Sequence, residues 1–125
     1  MNRAALLFPI VLAAFATSAS AADVSGTWSA SAVVEQNGQI VYTTTPVCTF
    51  QQDGNQLTGT CKGPHAAGPA NGTVNGSSVS WQWTATNAAG VTGESMWHGT
   101  LDPDGVIRGK MSGHGMKAPF TAQRQ

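Results

Sequence analysis

Two cysteines stand at mirrored positions across a predicted hairpin, Cys48 before the turn and Cys61 after it. Between them, Phe50-Gln51-Gln52-Asp53-Gly54-Asn55-Gln56-Leu57 reads as strand, tight turn, strand. With Gly54-Asn55 as a two-residue loop, Asp53 pairs with Gln56, and counting back brings Cys48 directly opposite Cys61. Pairs alternate between hydrogen-bonded and non-hydrogen-bonded, and this one falls on a non-hydrogen-bonded pair. There the chains approach more closely, within the Cα range a disulfide needs. A bond at this place implies an antiparallel sheet, its register and an oxidising compartment. It implies no reaction.

The start of the chain agrees with that compartment. Arg3 supplies a positive n-region, and Ala4 to Ala16 is an apolar run broken only by Pro9. Small residues follow, with A-x-A at Ala19-Ser20-Ala21, so residues 1–22 read as a secretory signal cleaved after Ala21 or Ala22. The run is too short to span a membrane. The expected destination is periplasmic or extracellular. The remaining residues, 23–125, make one small domain whose core is marginal without a staple. Without Arg3 this part carries five Lys/Arg against six Asp/Glu. That balance offers no basic field for nucleic acid and no polybasic stretch for anionic lipid.

No helical periodicity follows the signal. Short runs rich in Val, Thr, Trp and Ser alternate with Gly-containing turns, the all-β pattern. Strands are predicted at about 24–35, 39–52, 56–62, 70–74, 78–86, 91–101, 106–111 and 118–124. Tight connections fall at Asn37-Gly38, Gly54-Asn55, Asn75-Gly76 and Asp102–Gly105, with looser loops at 63–69, 87–90 and 112–117. Pro46 cannot donate a ladder bond and marks a bulge or bend in the second strand. Short sequential hairpins give an eight-stranded antiparallel up-and-down meander, and the lack of edge protection argues for closure into a small barrel.

Strand parity assigns the faces. Val79, Trp81, Trp83 and Ala85 share one side, with Val74, Gly72 and Ala70 across the Asn75-Gly76 turn. Cys48, Phe50, Leu57 and Cys61 share another inward face, and Ala118, Phe120 and Ala122 a third. The first hairpin resists this treatment. Its Asn37-Gly38 register sets Val34 beside Val41, while Ile40 and Tyr42 point the other way. Asn71-Gly72-Thr73 and Asn75-Gly76-Ser77 match the glycosylation sequon, but Asn-Gly is also turn chemistry, which is the preferred reading.

Four tryptophans, Trp28, Trp81, Trp83 and Trp97, are the strongest ligand signal. They can line a pocket in the barrel mouth. They can also be the core plug, since a small eight-stranded barrel is just wide enough for side chains to fill. If a pocket exists, at least two of Trp81, Trp83 and Trp97 should share a cavity open at one end, facing inward with Val79 and Leu101. A second constellation is Met96, His98, His114 and Met116, because thioether and imidazole ligands suit Cu(I). Asp102-Pro103-Asp104-Gly105 as a type I turn with a bulge pairs Asp102 with Val106. Trp97 then opposes Met111 on an apolar face, while His98 opposes Lys110 and Met96 opposes Ser112 on the other. A four-residue loop would instead pair Met96 with Met111 and assemble the metal site. No nucleophile–base signature surrounds His65, His98 or His114, and Asp53, Asp102 and Asp104 are explained by turns. Glu35 and Glu94 propose no acid pair. No cofactor motif is found, since Gly63-Pro64-His65 lacks the spacing of a phosphate loop.

Several segments resemble the calycins, the superfamily of avidins and lipocalins. Ser25-Gly26-Thr27-Trp28 matches the G-x-W signature of their first strand. Gly54-Asn55-Gln56-Leu57-Thr58-Gly59-Thr60-Cys61 is similar to the avidin turn followed by L-T-G-T-Y. Val79-Ser80-Trp81, Trp97-His98-Gly99 and Ile107-Arg108-Gly109 echo later avidin strands. The resemblance implies an up-and-down barrel with a late Arg over the first Trp at its closed end, and Arg124 is the candidate. It does not imply biotin binding. The avidin Asn two residues after the first Trp is Ala30 here, the Ser six residues after it is Val34, and the Tyr ending L-T-G-T-Y is Cys61. No acidic residue follows Asp104. The leading expectation is a secreted, non-enzymatic barrel that binds a small apolar or aromatic ligand or a partner protein. A periplasmic Cu(I)-binding protein is the alternative, and an enzyme with an unrecognised site is a third.

Overall fold

The computed structural model describes residues 20–125. Residues 1–19, most of the expected secretory signal, lie outside that range. Among the described residues nine strands follow in order: β1 (Gly26–Gln36), β2 (Gln39–Thr44), β3 (Val47–Asp53), β4 (Gln56–Lys62), β5 (Ala66–Asn75), β6 (Ser78–Asn87), β7 (Thr92–Leu101), β8 (Ile107–Gly113) and β9 (Met116–Arg124). Every pairing is antiparallel, and consecutive strands are neighbours from β3 to β9. The sheet closes through β1 and β9, with Trp28 opposite Arg124 and Ala32 opposite Phe120.

The barrel has eight strands because β2 and β3 are two halves of one. Both lie against β1, β3 along Gly26–Ser29 and β2 along Ala32–Gln36. Between them Thr45-Pro46 breaks the ladder, since proline has no N–H to give. The Pro46 carbonyl still accepts a hydrogen bond from Ala30 N (2.9 Å), which carries the pairing across the break. No helix among the described residues is long and apolar enough to cross a membrane.

Two predicted registers are found as counted. β3 pairs with β4 from Asp53 opposite Gln56 to Cys48 opposite Cys61. The sulfurs of Cys48 and Cys61 are bonded, with the Cα atoms 4.0 Å apart. β7 pairs with β8 so that Trp97 faces Met111, His98 faces Lys110 and Met96 faces Ser112.

Other expectations need correction. In the first hairpin the register shifts between Val34 and Glu35, leaving Val41 as the extra residue of a bulge. Val34 therefore lies opposite Tyr42, not Val41. The loops expected at 63–69 and 112–117 are much shorter. β5 begins at Ala66, and β8 and β9 are joined by His114-Gly115 alone. His114 and Gly115 both have positive φ (53° and 72°), the pattern of a type I′ hairpin turn. Asn71-Gly72 is not a turn: it sits within β5, and only Asn75-Gly76 reaches a chain reversal.

Burial alternates along the strands, as period-two parity requires. Trp28, Ala30, Ala32 and Val34 of β1 point inward, as do Val79, Trp81 and Trp83 of β6 and Ala118, Phe120 and Ala122 of β9. The bore is narrow, and three of the large rings face a glycine on one neighbouring strand. Phe50 stands opposite Gly59, Trp81 opposite Gly72 and Phe120 opposite Gly109. At these glycines the neighbouring backbone comes in where a side chain would sit. A Cβ at Gly59 would lie 1.9 Å from the Thr49 carbonyl oxygen, and one at Gly72 would lie 2.0 Å from that of Ser80.

One end of the barrel is closed. Val24, fully buried, stoppers it. The segment before β1 is stitched down by Gln52, whose Oε1 accepts from Val24 N (2.7 Å) and whose Nε2 donates to Ala22 O (2.8 Å). Trp28 Nε1 donates to Val24 O (2.9 Å). The Arg124 guanidinium lies over the Trp28 ring, 4.5 Å from its centroid, and donates to the carbonyls of Asp23 (2.8 Å) and Ser25. The late Arg over the first Trp is thus present.

Candidate functional site

The middle of the barrel is filled by aromatic rings. Trp81 and Trp97 stack with centroids 5.7 Å apart and planes 4° from parallel. Phe120 meets both edge-on, at 5.5 and 5.0 Å, and Phe50 meets Trp81 edge-on at 5.3 Å. Offset and edge-on contacts are the arrangements the ring quadrupole favours. This layer separates the closed end from the other end, where the β1–β2, β4–β5, β6–β7 and β8–β9 turns gather.

At that other end lies an open cavity of about 470 Å³. Its deep wall is Trp83, Trp97, Ser95 and Met111. Its rim is Val34, Val41 and Tyr42 from the first hairpin, Pro64 and His65 from the β4–β5 turn, and His114 and Met116 from the β8–β9 turn. β4 ends at Lys62, while β2 runs on beside β1 alone, so the rim is notched between β2 and the β4–β5 turn. The Val41 bulge, which counting along the sequence misses, turns this part of β2 and places Tyr42 across from inward Val34.

The four candidate tryptophans divide. Trp83 and Trp97 line the cavity. Trp81 lies beneath it in the aromatic layer, and Trp28 is at the closed end under Arg124. Val79 and Leu101 sit toward the closed end and do not line the cavity. Cys48 and Cys61 are buried in the wall, away from it.

The Met/His set also divides, so its four members form no common site. Met96 is half exposed on the outer surface. His98 is on the same outer face, its Nδ1 hydrogen-bonded to Ser80 Oγ. The physical cause is the β7–β8 connection, residues 102–106, whose register turns both outward. His114 and Met116, in contrast, line the cavity, where they join Met111 and His65. Inward Met111 is legible from register. His65 and Tyr42 are not, because one belongs to a turn and the other follows a bulge.

The lining is apolar with a few polar atoms. Trp97 Nε1 donates to Ser95 Oγ (2.9 Å). Trp83 Nε1 is buried and meets no protein acceptor among the described residues, and the same holds for Trp81 Nε1. Among the described residues, no Asp, Glu, Lys or Arg lines the cavity. Among the described residues, no three of His, Cys, Asp and Glu come together as a metal-binding group. Charge is gathered elsewhere. Arg108 pairs with Asp102 (2.7 Å) and Asp104 (2.9 Å) at the β7–β8 turn, on the closed end. Hydrogen bonds from Arg108, then from Val106 N–H, hold the Asp104 carboxyl below the ordinary carboxylate range. A hydrogen bond from the Ser25 hydroxyl, then one from its N–H, does the same for Asp23.

Compared with models of protein families, with characterised proteins and with solved structures, the chain matches none.

Proposed function

We propose that this protein is an exported, non-enzymatic β-barrel that takes a small apolar or aromatic molecule into its open mouth. The observation that carries the reading is the cavity itself. About 470 Å³ lies within the range of small-molecule sites. It is walled by two indoles and a thioether, bordered by Tyr42, and free of carboxylate and ammonium groups among its lining residues. A cationic ligand would find no carboxylate there. A flat, neutral one would find aromatic faces. Association would draw chiefly on apolar burial, at about 25 cal/mol per Å² before the cost of immobilisation. The calycin kinship is part of the same proposal. The G-x-W strand, the closing β1–β9 pair and Arg124 over Trp28 support it, and ligand binding at an open barrel end is what that kinship implies. A disulfide-bonded barrel suits a periplasmic or extracellular setting.

The test is titration with a neutral apolar dye, read by tryptophan emission, on oxidised metal-free protein. Saturable quenching is expected. Trp83→Ala should weaken it at least tenfold while the variant keeps its far-ultraviolet circular dichroism and a cooperative thermal unfolding transition. Linear, non-saturating quenching would overturn the reading, as would equal affinity in folded Trp83→Ala.

A further inference from the structure

The cavity holds a second kind of chemistry that apolar binding does not use. Two thioethers and two imidazoles line it: Met111, Met116, His65 and His114. Register places the methionines together. Met116 pairs with Gly113 and Met111 with Ala118, so the two are diagonal neighbours on the inner face of β8–β9. Such residues lie about 7–8 Å apart at Cα, with Cβ atoms somewhat nearer. Methionine has three rotatable bonds, enough to bring two sulfurs to one ion. His114 is in the two-residue turn that joins the same strands. Its imidazole lies over Gly93, where a Cβ would approach Cε1 to 2.4 Å. Glycine at 93 therefore makes the seat for the ring on the cavity wall.

We propose that Met111, Met116 and His114 bind one soft monovalent cation, Cu(I) by chemical preference, with His65 the further nitrogen donor on the facing rim. Ligand type selects the metal. Thioether sulfur is soft and neutral and suits Cu(I), whereas Ca(II), Mg(II) and Mn(II) need oxygen ligands. Zn(II) sites are commonly completed by thiolate or carboxylate. The lining supplies neither, since both cysteines are bonded to each other. Charge points the same way: with no anion in the wall, a divalent ion would stay uncompensated in an apolar pocket, and a monovalent one costs less to place there. The proposed site excludes Met96 and His98, which face outward.

The experiment is an anaerobic Cu(I) titration of the oxidised protein against a chromogenic Cu(I) chelator, with Ag(I) as a redox-inert second probe. One Cu(I) per chain should be retained. Trp83 and Trp97 line the same cavity, so their emission should fall to a plateau at one equivalent. Met116→Leu keeps apolar bulk, and His114→Asn keeps a residue tolerant of positive φ. Each should weaken retention at least tenfold, with the folded circular dichroism spectrum unchanged. Met96→Leu should change nothing. The proposal is overturned if the chelator removes all Cu(I), if folded Met116→Leu and His114→Asn both retain it as the parent does, if Met96→Leu abolishes binding, or if Zn(II) is held as tightly. The dye titration uses metal-free protein, so failure of either reading leaves the other separately measured.

Discussion

Replacing Trp81 with phenylalanine should destabilise the barrel far less than the same change at Trp97. The two indoles stack on each other and share Phe120 as a neighbour, so both substitutions remove similar ring atoms from one packed layer. That packing loss is about 1–2 kcal/mol in each case. The nitrogens differ. Trp97 Nε1 donates to Ser95 Oγ, and Ser95 is only 8% exposed. Trp97→Phe loses this bond and leaves a buried hydroxyl short of a partner, about 1–2 kcal/mol more. Trp81 Nε1 is buried with no protein acceptor. Trp81→Phe removes a donor that is costly to bury, and the relief of about 1–3 kcal/mol offsets most of the lost packing. The packing losses cancel, so the two variants should differ by about 2–5 kcal/mol, or roughly 10–40 °C in Tm for a domain of this size. Thermal unfolding of the oxidised proteins, followed by near-ultraviolet circular dichroism, measures it. Equal Tm values, or a lower one for Trp81→Phe, would refute the argument from hydrogen-bond accounting.

Other consequences can be checked with the same protein. Cys48→Ala with Cys61→Ala should lower unfolding free energy by about 3 kcal/mol in urea, because the bond closes a short loop. Intact mass before and after reduction and alkylation reads the bond directly, and two thiols free to alkylate in exported, unreduced protein would contradict it. Arg124→Gln should cost about 1–3 kcal/mol through the lost stacking and the two freed carbonyls, and should shift Trp28 emission to longer wavelength. The Arg108 pair sets an acid limb. With Asp104 held below its ordinary value, the pair stabilises the fold above the unfolded aspartate pKa of about 3.9, and this is lost as pH falls through the lowered one. Tm measured from pH 6 to pH 2 should fall less steeply in Arg108→Gln than in the parent.

Much of the barrel wall is legible in the amino-acid sequence wherever a turn announces its own length. Gly54-Asn55 favours a two-residue loop and Asp102–Gly105 a type I turn with a bulge over a four-residue loop, and from these the partners of Cys48 and Trp97 follow by counting. Counting fails where the ladder slips. Nothing in Gln39-Ile40-Val41-Tyr42 marks Val41 as an extra residue, because a bulge belongs to the pairing of β2 with β1 and carries no residue signature of its own here. Tyr42 therefore moves to the cavity rim unannounced. Loops are overestimated for a related reason. Ala66–Gly68 has weak strand propensity, and His114 is an unusual first residue for a type I′ turn, so both segments read as irregular. Their pairing comes from neighbours already in place. Parity shows that Trp81, Trp83 and Trp97 face inward. It does not show how far along the axis each ring lies, and that depth separates the filled layer from the cavity wall.

Arg124 over Trp28 also decides where the chain can be cut and rejoined. Gln125 N donates to Thr27 O (2.9 Å), so residue 125 lies beside the start of β1, on the end away from the cavity. A short linker from Gln125 to the segment before β1 would join them without crossing the mouth. New ends could then be opened at Gly105, in an exposed turn on the same side. The same placement orients the molecule on a support. Tethered by residue 125, the barrel stands on its closed end with the mouth facing solution, which is the attitude a surface-based sensor requires.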